Sequence, residues 1–177
     1  MAQYVFPPFH SFPPSYTRQP VEATRAKQTQ LWCDLIRDYC RVHHIFWLDV
    51  SVARESNLFS NPAIDRRLSD DDVRYFLGQL VARGDAEWDP DRKRCLVFWR
   101  QPSDWGQLIY QWVDATGKNG ELLTVHEIRK GSATVGREFH GLELDTTIRA
   151  LQALEALGKC AIVQGDSADS LGVKFAM

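Results

Sequence analysis

The amino-acid sequence predicts an α+β protein built from two similar units, and three observations lead to that prediction. Each half of the chain places an amphipathic helix, a short apolar strand, further helices and a final pair of strands in the same order. The apolar positions of the two halves overlay at one offset of 74 residues, and a stretch rich in proline and aromatic residues precedes the first helix. This order of elements is that of a winged helix. The sequence therefore predicts two tandem winged-helix domains preceded by an extended, proline-rich N-terminal arm.

The predicted arm, residues 1–20, repeats a Phe-Pro-Pro unit beginning at Phe6 and again at Phe12. Each proline holds its φ at about −65° and pushes the residue before it toward extended backbone. Such a stiff segment must place its rings, including Phe9 and Tyr16, either on its own domain or in a groove of another molecule. Pre-stiffened proline segments bind grooves at low entropic cost, which favours docking on a partner. Packing along its own domain remains the alternative.

The first domain is predicted at residues 21–101, beginning with a helix over 21–44 whose apolar residues recur at helical spacing. A run of β-branched and aromatic residues predicts a strand over 45–52. Pro62 predicts the first turn of a short helix over 63–68, capped by Ser60 or Asn61. Ser69, followed by three aspartates, predicts the start of a longer helix that ends near Gly84. Strands over 86–88 and 95–99, joined by a turn, complete the domain.

The second domain, residues 102–177, is predicted to follow the same order. A helix begins at Ser103 and stops at Gly117, and a strand over 122–125 and a short helix over 126–130 come next. An irregular connector leads to a helix over 145–157, which Gly158 ends. A hairpin of strands 160–163 and 171–175 closes the chain.

Charge argues against nucleic acid as the partner. The net charge is −2 and the isoelectric point is about 6.2, and both predicted third helices carry more acidic than basic residues. Affinity for DNA comes mainly from cations that neutralise phosphates. The first hairpin does carry Arg92, Lys93 and Arg94 at its tip, so a DNA-binding regulator remains a weaker alternative.

The sequence shows no signature of catalysis or of a cofactor. It contains no phosphate-binding loop, no dinucleotide fingerprint and no zinc-protease motif. The four cysteines follow no metal-binding spacing, and we expect buried free thiols, no metal and no cofactor. No signal peptide or membrane-spanning stretch is evident, which predicts a cytosolic protein. Six tryptophans and nine phenylalanines exceed what two small cores need and indicate an interaction module.

Five segments carry a specific pattern in order along the chain: VFPPFHSFPPSYTRQP at 5–20, LWCDLIRDYC at 31–40, SDWGQLIYQWV at 103–113, EFHGL at 138–142 and GVKF at 172–175. Together they resemble the family of the smallest subunit of the endosomal sorting complex ESCRT-II. The resemblance implies a non-enzymatic cytoplasmic scaffold recruited to endosomes, where it serves the sorting of ubiquitinated cargo into multivesicular bodies. It also implies two copies of this chain per complex with one copy of each of two larger subunits. Contact with the membrane is expected to be indirect.

The resemblance further implies that the proline motifs dock into hydrophobic pockets of the larger subunits. One departure from the family pattern concerns the first motif, which ends in His10 rather than an aromatic ring, so its contact must depend on Phe6 and Phe9. Carried onto this chain, the predicted partner-binding residues are Phe6, Pro7, Pro8, Phe9, Pro13, Pro14 and Tyr16.

The second winged helix is implied to bind an N-terminal helix of an ESCRT-III subunit. Glu143, Asp145 and Glu155 on its third helix are the candidate residues, because acidic groups would attract a basic partner helix.

The alternative function of the N-terminal arm is that of a WW-domain ligand, since residues 13–16 satisfy the PPxY pattern.

Overall fold

The computed structural model describes residues 3–177 and divides the chain into two compact units, of which the first ends at Trp99 and the second comprises Arg100–Met177. Residues 3–20, which the sequence predicts as a separate arm, belong to the first unit.

The first unit contains a long helix, a small antiparallel sheet and a second core helix. The long helix α1 packs against α3, and the sheet has the strand order β1-β5-β4. Trp32, Ile36, Phe76 and Leu77 lie fully buried between these elements. The elements are α1 Glu22–His43, β1 Trp47–Asp49, α2 Val50–Arg54, β2 Ser60–Asn61, β3 Arg66–Arg67, α3 Asp70–Ala82, β4 Ala86–Trp88 and β5 Arg94–Val97.

The second unit repeats this arrangement with the sheet order β6-β8-β7. Helices α4 and α6 pack closely at Gly106, where an added Cβ would come within 2.8 Å of the Ala150 carbonyl oxygen. Its elements are α4 Pro102–Ala115, β6 Leu122–Thr124, α5 Val125–Lys130, α6 Leu144–Ala156, β7 Cys160–Val163 and β8 Gly172–Phe175. The matching order and topology of the two units confirm the predicted tandem winged helices.

The predicted start of α3 and the glycines predicted to end α3 and α6 are confirmed. The Ser69 hydroxyl accepts a hydrogen bond from the Asp72 amide at 3.1 Å and caps α3. Gly84 and Gly158, which follow α3 and α6, have φ values of 78° and 73°. A left-handed backbone after a helix favours glycine, because glycine has no Cβ to clash with the neighbouring carbonyl.

The prediction for residues 45–68 is wrong in two places. The strand ends at Asp49, whose carboxylate accepts hydrogen bonds from the amides of Ser51 at 3.0 Å and Val52 at 3.2 Å and so begins α2. The helix predicted over 63–68 does not form. Asn61 caps a single 3-10 turn, Pro62–Ile64, and the chain then returns as β3, which pairs with β2 and directs Leu68 into the core.

The predicted extended arm is also wrong in its backbone conformation. Residues 8–16 form two 3-10 helices, Pro8–Ser11 and Pro13–Tyr16, each of which starts at a proline. The His10 amide donates to the Pro7 carbonyl at 3.0 Å, and the Ser15 amide donates to the Phe12 carbonyl at 2.9 Å. Proline's φ suits a 3-10 helix as well as extended backbone, so the same residues serve both conformations.

The cysteines are buried free thiols, as predicted. Burial raises the pKa of Cys33 and of Cys160 to about 11, so these thiols are protonated at neutral pH. Within residues 3–177, no helix is both long enough and apolar enough to cross a membrane.

Candidate docking site at the N-terminal segment

The N-terminal segment, residues 3–20, packs around the indole of Trp32 on α1. The Trp32 ring is fully buried and makes edge contacts with Phe9 and Tyr16, at centroid distances of 5.1 and 5.5 Å. On its other side it stacks at 5.8 Å against Phe76 of α3. Its Nε1 donates a hydrogen bond to the Ser15 carbonyl at 3.0 Å. Trp32 therefore joins the segment to the core of the first unit.

Gln28, one turn before Trp32, binds the backbone of the segment. Its buried amide nitrogen donates to the carbonyls of Ser15 at 3.1 Å and Thr17 at 2.8 Å. Its carbonyl oxygen accepts from the Gln19 amide at 3.1 Å. One side chain thus binds three backbone groups of the segment, and the Ser15 carbonyl accepts from both Gln28 and Trp32.

His10 lies inside the segment rather than on its surface. Its ring stacks on Phe6 at a centroid distance of 4.0 Å, and its Nε2 lies 3.2 Å from the Leu58 carbonyl oxygen. Burial lowers the pKa of His10 below its ordinary value, which favours the neutral ring. The His10 carbonyl accepts hydrogen bonds from the Tyr16 hydroxyl at 2.7 Å and from the Asn61 amide at 2.9 Å. His10 therefore links the two 3-10 helices to the loop after α2.

Polar contacts hold both ends of the segment. Near its start, the Tyr4 hydroxyl donates to Asp38 at 2.6 Å, and this hydrogen bond is the main reason that the pKa of Asp38 lies below its usual range. Near its end, the Arg18 guanidinium pairs with Asp72 at 3.0 Å and lies 4.5 Å from the centre of the Tyr75 ring. The segment is thereby tied to both α1 and α3.

The segment keeps an exposed apolar patch at its centre. Phe12, between the two 3-10 helices, leaves 60% of its surface exposed, and Pro13 and Pro14, which follow it, are also exposed. An open groove of about 440 Å³ lies between the segment and α1. The groove is lined by apolar side chains of both elements, with Asp34 and Asp38 of α1 contributing carboxylates.

The predicted partner-binding residues separate into three sets by exposure. Pro8, Pro13 and Pro14 are exposed, and Phe6, Pro7 and Phe9 are half-buried. Tyr16 is only 5% exposed, and its hydroxyl is already used within the segment. A WW domain would have to extract Tyr16 from this site, so the structure disfavours the WW-ligand alternative.

The sequence alone does not single out Gln28 and Trp32 as contacts of the segment. Both lie on α1, where the helical spacing places Trp32 among the core residues. A polar residue within the buried stripe, such as Gln28, is the one signal that could have indicated a specific hydrogen-bonded contact.

The acidic residues predicted for the second unit lie at opposite ends of α6. The Glu143 carboxylate caps the start of the helix by accepting from the amides of Asp145 at 3.0 Å and Thr146 at 2.7 Å. Asp145 is half-exposed in the first turn. The Glu155 carboxylate near the end accepts from the Ile162 amide of β7 at 2.7 Å. Glu143 and Glu155 thus have structural partners that the sequence does not reveal, and the three residues do not form one cluster.

Two further features concern the basic tip of the first hairpin and the absence of a metal centre among the described residues. At the tip of the first hairpin, Arg94 pairs with Asp89 at 3.5 Å and lies 4.3 Å from the centre of the Trp47 ring. Among residues 3–177, no group of three or more His, Cys, Asp or Glu side chains is arranged to hold a metal ion.

Comparisons with known proteins agree on one family. The family model described as "ESCRT-II complex subunit" matches residues 4–143. Vacuolar protein-sorting-associated protein 25 of Danio rerio is 43% identical over 94% of this chain and 95% of its own length. The Arabidopsis thaliana protein is 42% identical over 100% and 98%, and the Homo sapiens protein 41% over 94% of each chain.

Solved structures that are similar to this chain belong to the same family. The crystal structure of subunit VPS25 of the endosomal trafficking complex ESCRT-II is similar with a TM-score of 0.81 and 27% identity, over 97% of this chain and 98% of that one. A chain of the endosomal complex ESCRT-II, whose title names VPS22, VPS25 and VPS36, is similar with a TM-score of 0.79 and 28% identity, over 97% and 98%.

Proposed function

Because this chain belongs to the ESCRT-II subunit family, and within it to the vacuolar protein-sorting-associated protein 25 group, we propose that it is a non-enzymatic scaffold subunit that docks through its N-terminal segment. Its partners in this proposal are the two larger ESCRT-II subunits, which correspond to the VPS22 and VPS36 named with the solved relative. Two copies of the chain enter each complex, at the endosome, for the sorting of ubiquitinated cargo into multivesicular bodies.

The observation that carries the docking proposal is the exposed apolar surface of the N-terminal segment. Phe12, Pro13 and Pro14 remain exposed although Trp32 and Gln28 of α1 hold the segment in place. Apolar surface held in one conformation costs little entropy to bury, and aromatic anchors of this kind dominate the binding energy of interfaces. A larger subunit that presents an apolar pocket would gain this burial without ordering the segment first.

The docking proposal is tested by co-purifying the two larger subunits with the full chain and with a version that begins at Arg18. We expect the full chain to enter a stable complex in two copies, as measured by the mass of the assembly. The shortened chain is expected to remain outside the complex, because it lacks both proline motifs. Assembly of the shortened chain with unchanged yield would overturn the proposal.

The shortened chain also uncovers Trp32, so its folding must be measured separately. Circular dichroism and thermal unfolding of the isolated shortened chain provide that control. A folded shortened chain that fails to assemble supports docking through the segment. If it is unfolded, the assembly is repeated with a full-length variant in which the exposed Phe12, Pro13 and Pro14 are replaced by serine. Wild-type assembly of this variant, once it is shown to be folded, would then count against the proposal.

We further propose that the second unit recruits an ESCRT-III subunit by binding a basic amphipathic helix near α6. Glu155, exposed near the end of α6, is the acidic group that a basic partner could approach, and Asp145 lies in the first turn of α6. An interface of this kind combines an apolar centre with a charged rim, and the charged rim acts mainly on the association rate.

A charge test at Glu155 must preserve its hydrogen bond to the Ile162 amide, which a lysine would remove. Glu155→Gln keeps an acceptor oxygen and removes the charge. We expect the ESCRT-III subunit to associate with this variant two- to five-fold more slowly at low salt, with a smaller difference at high salt. Association rates equal to wild type at low salt would exclude Glu155 from the interface. Glu121→Gln, an exposed acidic residue before β6, is the matched control.

A further inference from the structure

We infer that Phe12, rather than Tyr16, is the side chain of the second proline motif that a larger subunit recognises, and that Tyr16 acts as an internal anchor. This inference rests on the proposed docking function and assigns residues within it. The partner site that it implies is an apolar pocket about the size of a phenyl ring, bordered by surface that fits Pro13 and Pro14.

Tyr16 has almost no surface left to offer a partner. It is 5% exposed, its ring contacts the edge of Trp32, and its hydroxyl donates to the His10 carbonyl at 2.7 Å. Burial also raises its pKa well above the ordinary value, so the hydroxyl stays protonated and remains a donor. Withdrawing Tyr16 into a partner pocket would uncover Trp32 and leave a buried hydrogen bond unmade, both of which cost free energy.

Phe12 has the opposite environment. Its side chain is 60% exposed at the junction of the two 3-10 helices. Its amide donates to the Phe9 carbonyl at 3.0 Å, and its carbonyl accepts from the Ser15 amide at 2.9 Å. The backbone is therefore held on both sides while the ring projects from it. A phenyl ring has two side-chain torsions to fix, so its burial in a partner pocket gains apolar contact at a small entropic cost.

The residues that follow Phe12 strengthen this assignment. Pro13 and Pro14 are exposed, have restricted backbone torsions and provide a rigid apolar surface next to the ring. The two proline rings offer a partner apolar surface on a backbone that is already restricted, so their burial costs little entropy. The ring and the two prolines thus form one continuous recognition surface, whereas Phe9, His10 and Tyr16 hold it in place from below.

The test measures the affinity of the isolated chain for a purified complex of the two larger subunits, by isothermal titration calorimetry. Phe12→Ala is expected to weaken binding at least tenfold, and Phe12→Leu less, because leucine keeps part of the apolar contact. Tyr16→Phe is expected to bind as wild type but to unfold at a lower temperature, since it loses only the internal hydrogen bond. Val52→Ala, which shortens an apolar residue on α2 that is even more exposed than Phe12, is the matched control and should change neither quantity.

The outcomes separate this inference from the proposed function. If Phe12→Ala binds as tightly as wild type while the chain that begins at Arg18 does not bind, the assignment to Phe12 is wrong and docking by the segment stands. If the shortened chain binds as tightly as the full one, the docking function itself is wrong. A tenfold loss of affinity in Tyr16→Phe, with an unchanged unfolding temperature, would show that the partner recognises the tyrosine and would overturn the inference.

Discussion

Replacement of Trp32 by alanine is expected to lower the free energy of unfolding of the first unit by about 3–5 kcal/mol, the usual cost of removing a large buried aromatic side chain. The loss is large because Trp32 contacts both sides of this unit. Its ring packs against Phe76 on the core side and against Phe9 and Tyr16 on the segment side. Chemical denaturation of the full chain, followed by circular dichroism, measures the change.

Trp32→Ala is also expected to release the N-terminal segment before the rest of the unit unfolds. Hydrogen exchange should show faster exchange at the amides of His10 and Ser15, which are bonded within the 3-10 helices. Trp32→Phe is the matched control. It keeps an aromatic ring and loses the indole hydrogen bond, while the Ser15 carbonyl still accepts from Gln28, so its cost should be about 1–2 kcal/mol. Unchanged exchange in Trp32→Ala would mean that the segment is held mainly by its other contacts.

Replacement of Arg129 by alanine is expected to lower the free energy of unfolding of the second unit by about 2–3 kcal/mol. Arg129 is 9% exposed, donates from Nε to the Leu142 carbonyl at 2.7 Å and pairs with Asp169 at 2.8 Å. This expected loss is smaller than the loss from breaking a fully buried ion pair, because Asp169 is partly exposed and solvent screens its charge. Thermal and denaturant unfolding of the full chain measure the loss.

Two comparisons define what Arg129 contributes. Arg129→Lys should recover little stability, because an ammonium group cannot reproduce the forked geometry that reaches both Leu142 and Asp169. Arg137→Ala, which removes an exposed arginine of the same unit, should cost less than about 0.5 kcal/mol. Equal stabilities of the Arg129→Ala and Arg137→Ala proteins would contradict a structural role for the buried guanidinium.

The pH dependence of the Arg129 effect follows from Asp169. Partial burial alone would raise the pKa of this carboxyl, but the hydrogen bonds from His126 and Arg129 outweigh it and bring the pKa below its ordinary value. A carboxyl with a depressed folded-state pKa contributes stability above its unfolded value of about 3.9, and this contribution is lost as the pH falls through the folded value. The stability difference between wild type and Arg129→Ala should therefore shrink in acid.

Local signals in the sequence predict much of the fold, and the reason is visible at individual residues. A serine that caps its own helix, such as Ser69, and a glycine that ends one, such as Gly84, act on neighbouring backbone groups, so distant contacts do not change their effect. Helical spacing of apolar residues is also a reliable signal, because the residues that share this spacing form the face of the helix that packs in the core.

Helix α2, which the sequence predicts as part of a strand, shows where two local signals conflict. Val50 and Val52 extend an apolar, β-branched run and favour a strand, whereas Asp49 favours a helix start. The structure follows Asp49, because its carboxylate binds two amides and Val50 becomes buried. The repeat could have resolved this conflict. In the second unit Thr124 caps a short helix that begins at Val125, directly after a strand, as Asp49 does in the first.

The amino-acid sequence is sufficient to predict two winged-helix units, a proline-aromatic segment before them and a family resemblance that the comparisons confirm. The path of that segment and the direction of its rings depend on tertiary contacts. Proline restricts φ to a value shared by extended backbone and by 3-10 helix, and the two differ in ψ. Here ψ is selected by distant partners, Trp32 and Gln28 of α1, which bind the segment's rings and carbonyls. Those contacts turn Tyr16 inward and leave Phe12 exposed.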